Sequence, residues 1–66
     1  MKKQLQYIEL MQDDLQRTAK RFLTDVRENR SPYGSKEHGK YVVLSKITAL
    51  RRELLSLGKR IEEEGL

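Results

Sequence analysis

Apolar residues recur along the first half of the chain at alternating spacings of three and four. The series runs through Leu5, Ile8, Gln12, Leu15, Ala19, Phe22 and Val26. Such alternation forms a single stripe on an α-helix that packs lengthwise against another helix. It predicts a first helix over about 2–30. Gln12 is the polar member of this stripe, and it either fixes the register of the helix pair or lies at a loosely packed edge.

The second half repeats the pattern and predicts a second helix over about 39–63, with the series Val43, Ile47, Leu50, Leu54, Leu57 and Ile61. A bend over about 31–38 separates the two helices and contains the stretch "SPYGS". Pro32 disfavours helical geometry in the residue before it, and Gly34 accepts a positive φ. Ser35 is a candidate N-cap for the second helix.

A connection this short forces neighbouring helices to run antiparallel. We therefore predict an all-α fold, a coiled-coil-like two-helix antiparallel hairpin that forms a single domain over 1–66. A chain of 66 residues has a small core, and without cysteine it has no disulfide to support that core. Dimerisation into a four-helix bundle is the simplest remaining source of stability.

Both helices carry more apolar residues than one stripe needs. A surface of scattered apolar residues is normal, but these residues cluster near the open end and near the bend of the predicted hairpin. We interpret them as a homodimer or protein-partner surface. The candidate residues are Tyr7, Leu10, Met11, Leu23, Tyr41, Val42, Leu44 and Leu55.

The formal net charge is +4, and basic residues gather on the outer side of the first helix and around the bend. Arginine side chains at such positions can contact phosphates, so nucleic acid is the second candidate partner. Acidic residues interleave with these cations, which equally fits a solubilising surface. The candidate nucleic-acid contacts are Arg17, Lys20, Arg21, Arg27, Arg30, Lys36 and Lys40.

The sequence offers little for chemistry. It contains one histidine, His38, no cysteine and no glycine-rich phosphate loop. We predict no catalytic residues, no cofactor and no metal site, and hence not an enzyme. No apolar run reaches the about 20 residues that a membrane span requires, and the stretch after Lys2 and Lys3 lacks an apolar region, so we expect no secretory signal. We therefore expect a small cytoplasmic protein of bacterial or phage type with no membrane partner.

The stretch "VRENRSPYGSKEHGKY" resembles the coiled-coil arm of bacterial transcript-cleavage factors of the Gre type. The likeness rests on Arg27, Lys36, Glu37 and Tyr41, and it implies an antiparallel hairpin. The acidic pair at the tip of that arm is missing here, so the likeness implies no catalytic magnesium. In size and shape the chain is also similar to small plasmid copy-control hairpins, which dimerise and bind RNA.

Taken together, the sequence predicts a non-enzymatic hairpin that acts through protein–protein contacts, as a homodimer or with an unidentified protein partner. The alternative is a small basic hairpin dimer that binds RNA or DNA and has a regulatory role.

Overall fold

The described residues of the chain are helical, except for residues 28–30, which follow the end of the first helix. A computed structural model describes residues 2–30 and 36–64. Helix α1 spans Lys2–Arg27 and helix α2 spans Lys36–Glu64, and they pack against each other. No strand occurs in these two ranges. The predicted all-α, two-helix hairpin is confirmed.

Polar side chains that bridge the helices give their direction and register. Near the open end, the side chain of Gln4 hydrogen-bonds Ser56 at 3.3 Å, and its carbonyl accepts a bond from Arg60 at 3.1 Å. Further along, Lys46 forms an ion pair with Asp14. Residues early in α1 thus meet residues late in α2, as an antiparallel pair requires. A residue of α1 and a residue of α2 lie at the same level along the hairpin when their residue numbers add up to about 60, as they do for Gln4 with Ser56 and for Asp14 with Lys46.

The interface between the helices is rotated relative to the predicted stripes. The most protected α1 series is Gln4, Ile8, Met11, Leu15, Thr18, Phe22 and Asp25. The protected α2 series is Gly39, Val43, Lys46, Leu50, Glu53 and Leu57. We call these two series the seam. Three predicted residues in each helix belong to it, but Leu5, Gln12, Ile47 and Leu54 are exposed. The expectation that Leu5, Ile47 and Leu54 pack between the two helices was wrong, whereas the exposure of Gln12 agrees with the alternative that it lies at a loosely packed edge.

Helix α1 ends three residues before the predicted Arg30, and its C-terminus explains the difference. Asn29 has φ 59°. The amide of Arg30 donates to the carbonyl of Asp25 at 2.6 Å, and that of Asn29 donates to the carbonyl of Val26 at 3.2 Å. This pair of bonds is the Schellman arrangement, in which a left-handed residue closes the helix. Asn29 therefore stops α1 well ahead of Pro32.

Helix α2 begins at Lys36, earlier than the predicted residue 39. Gly39, in the first turns of α2, lies buried in the seam, and the helix continues through it. The turn roles predicted for Pro32, Gly34 and Ser35 fall outside the described residues.

The hairpin has almost no dry core. Among the described residues, Ile8 is the one buried apolar side chain, at 5% exposed, and no side chain is exposed by less than 2%. The molecule measures 49 × 17 × 14 Å, and its radius of gyration is 15.1 Å. A compact chain of this length has a radius of gyration of about 11 Å. The fold is a thin rod in which the described apolar side chains other than Ile8 are half-buried or exposed.

Candidate interaction surface

The seam divides the surface of the hairpin into two broad faces. Successive helical residues are rotated by about 100°, so the residue that follows a seam position lies to one side of it and the residue that precedes it lies to the other. The two helices run in opposite directions and face each other. Residues that follow seam positions in α1 and in α2 therefore lie on the same face of the hairpin, and residues that precede them lie on the opposite face.

The face formed by the residues that follow seam positions is the more apolar of the two. It carries five of the nine large apolar side chains that are exposed in the described part of the chain. They are 43–60% exposed in the hairpin, and we call them the leucine face: Leu5, Leu23, Leu44, Ile47 and Leu54. Leu5 and Leu54 lie at one level of the rod. Gln12 and Ala19 also follow seam positions and so belong to the same face.

The opposite face carries a shallow groove. Its walls are Tyr7, Leu10 and Met11 from α1 and Ala49 from α2, with the Lys46–Asp14 ion pair along one edge. The structure thus brings together three predicted partner residues, of which Met11 is half-buried in the seam. Leu55, another of the predicted partner residues, is not among the lining residues; it lies on the outer side of α2 and is 66% exposed.

The other predicted partner residues are spread around α2. Tyr41 and Leu44 border a shallow depression with Thr48 and Arg52, and Val42 is half-buried beside the seam. The eight predicted residues therefore do not form one patch. Three residues of the leucine face, Leu5, Ile47 and Leu54, were missed because the sequence pattern assigned them to the interior of the hairpin.

Four of the seven predicted nucleic-acid contacts gather near the end of α1. Arg17, Lys20, Arg21 and Arg30 border one depression together with Thr24 and Asp25, and we call these four the basic cluster. Arg27, Lys36 and Lys40 are exposed but do not border it. Parallel arginine and lysine side chains at this spacing can contact successive phosphates.

Acidic groups partly neutralise the basic cluster. Arg30 forms an ion pair with Glu28, and its Nε lies 3.6 Å from Oδ1 of Asp25. Asp25 is 8% exposed, and its Oδ2 has no hydrogen-bond partner. Arg17, Lys20 and Arg21 are the cations of the cluster that lie exposed on successive turns of α1. A carboxylate beside them opposes the binding of an anion at that point.

The described ranges give little sign of other kinds of site. Within residues 2–30 and 36–64, no three His, Asp or Glu side chains are grouped as ligands for a metal ion. His38 is exposed in the first turns of α2. Neither helix, as far as it is described, contains a segment of sufficient length and hydropathy to cross a membrane. Comparison with protein families, with characterised proteins and with solved structures finds no match to this chain.

Proposed function

We propose that this chain is a non-enzymatic assembly protein that self-associates through its exposed apolar side chains. The observation that carries the proposal is the imbalance between apolar content and burial. Hydrophobic residues make up 36% of the sequence, yet one apolar side chain is buried in the described hairpin. Small domains need a filled core or an external support to remain folded, and a second copy provides that support.

The exposed area leads to the same proposal. The hairpin has an accessible surface of 5517 Å² and a mass of 7.8 kDa. A compact monomer of that mass exposes about 4,400 Å², so the hairpin has an excess of about 1,100 Å². Each partner in a standard stable interface buries about 800 Å². The excess is therefore large enough for one interface per chain, and a helical bundle is the architecture that two hairpins form most directly.

Self-association predicts a dependence on protein concentration. We expect a dimer at micromolar concentration in sedimentation equilibrium, and a melting temperature that rises as the protein becomes more concentrated, because mass action favours the folded dimer. A folded monomer at every concentration, with a constant melting temperature, would contradict the proposal.

Binding of nucleic acid is the second candidate function, favoured by the gathering of four predicted contacts in the basic cluster. If it operates, affinity for a short labelled RNA or DNA should fall steeply as salt is raised, because each neutralised phosphate releases counterions. Arg17→Gln with Arg21→Gln should weaken binding and reduce the slope by about two. Arg52→Gln with Lys59→Gln removes the same charge from exposed positions of α2 and serves as the matched control. Equal effects of both pairs would reject the basic cluster as the binding site.

A further inference from the structure

We infer that the leucine face is the surface on which a second copy of this chain docks, with the two-fold axis along the rod. The inference deepens the proposed function by naming the interface. Leu5, Leu23, Leu44, Ile47 and Leu54 share this face, whereas Tyr7 and Leu10 are the large exposed apolar residues on the opposite one. The excess surface of the hairpin is sufficient for one such interface, and the more apolar face is the one whose burial contributes more free energy.

The two-fold axis follows from charge. When it runs along the rod, α1 of one copy packs against α2 of the other, and residues at the same level meet. Glu9 and Arg51 both follow seam positions, both are exposed, and they lie at the same level of the rod. Each copy therefore places its Glu9 opposite Arg51 of the other copy, which gives two attractive pairs per dimer.

An axis across the rod is electrostatically worse. It packs α2 against α2 of the other copy in opposite directions. With the axis at the middle of α2, near residue 50, Arg51 then lies beside Arg51 of the other copy, and Glu9, at the same level of the rod, lies beside Glu9 of the other copy. The axis along the rod also makes every neighbouring pair of helices in the bundle antiparallel, which is favourable for their dipoles.

Two adjacent leucines provide a matched test of the face. Leu54 belongs to the leucine face, whereas Leu55 is on the outer side of α2, and both are already exposed in the hairpin, at 44% and 66%. Leu54→Gln should weaken dimerisation about a hundredfold or more in sedimentation equilibrium, because two copies of the side chain leave the interface. Leu55→Gln should leave the dimer within about threefold of wild type. A dimer that withstands Leu54→Gln but is lost on Leu10→Gln would overturn the leucine face while leaving self-association intact. A wild-type monomer would instead overturn the proposed function.

Exchange of charge tests the two-fold axis. Glu9→Arg and Arg51→Glu should each weaken the homodimer about tenfold, since each creates two repulsive pairs of modest strength. An equimolar mixture of the two variants should form a heterodimer of near wild-type affinity. In that heterodimer the introduced arginine faces the introduced glutamate, and the native Glu9 of one copy faces the native Arg51 of the other. If Glu9 and Arg51 attracted each other within one chain instead of between two copies, mixing the two variants would not restore the affinity. Failure of the mixture to associate would overturn the arrangement with the axis along the rod.

Discussion

Asn29 closes helix α1, and replacing it tests whether this geometry supports the hairpin. Its φ of 59° lies in the left-handed region, which costs an ordinary L-residue about 1–2 kcal/mol and costs asparagine less. The protein can respond to Asn29→Ala in two ways. The chain either keeps the left-handed geometry and bears the added strain, or it relaxes and loses the two backbone bonds made by Asn29 and Arg30.

The smaller of these two penalties sets the expected effect. Two backbone hydrogen bonds contribute about 1–3 kcal/mol together, whereas the difference in strain between alanine and asparagine is about 1 kcal/mol. We therefore expect Asn29→Ala to lower the free energy of unfolding by about 1 kcal/mol and the melting temperature by about 4–8 °C. Asn29→Gly should be at least as stable as wild type, because glycine adopts this φ without strain.

Urea denaturation followed by far-UV circular dichroism measures these differences, with all proteins at one concentration so that self-association does not alter the comparison. Glu28→Ala is the matched control, because Glu28 is adjacent to Asn29 but does not have a positive φ. It removes an exposed ion pair and should change the free energy of unfolding by less than about 0.5 kcal/mol. If Asn29→Ala proves as stable as this control, the left-handed cap has no energetic role and the reasoning is refuted.

Two further substitutions test the seam and the leucine face. Asp25→Ala should raise the free energy of unfolding by about 1 kcal/mol in the same urea experiment, because it removes a buried, poorly paired carboxylate from the last turn of a helix; a loss of stability would show that the ion pair with Arg30 outweighs that penalty. Gln12→Leu should strengthen the dimer about tenfold in sedimentation equilibrium, since it adds an apolar side chain to the leucine face, and an unchanged dissociation constant would place Gln12 outside the interface.

The sequence was sufficient to predict two helices and their antiparallel pairing, because the alternating spacing persists over many turns and the bend is short. It was also sufficient for half of the seam: Ile8, Leu15 and Phe22 are protected as predicted, and so are their counterparts in α2. These residues belong both to the predicted stripes and to the observed seam, which differ by a rotation of each helix about its own axis. The periodicity therefore identifies them whichever rotation the helix adopts.

The rotation itself could not be predicted from periodicity. The apolar arc of each helix is wider than one contact, and the observed seam includes polar residues such as Gln4, Lys46 and Glu53 that an apolar pattern does not identify. The structure pairs Asp14 with Lys46 and Gln4 with residues of α2, and these contacts join positions far apart in sequence. The end of α1 was missed for a different reason. Pro32 is a strong stop signal, but Asn29 reaches the left-handed conformation first, and asparagine is a weaker indicator of this conformation than glycine.

The width of the apolar arc is informative about assembly. A helix with one neighbour needs a narrow stripe, whereas a helix in a four-helix bundle contacts two neighbours and needs apolar residues on two adjacent sides. In α1, Ile8 and Leu15 serve the contact with α2, while Leu5 and Leu23 face outward. In α2, Ile47 and Leu54 face outward on the same side of the rod. In the proposed dimer, the outward residues of α1 contact α2 of the second copy, and the outward residues of α2 contact α1 of the second copy. The alternating series of each helix then supplies both contacts, with alternate members packing within one chain and the others packing between two.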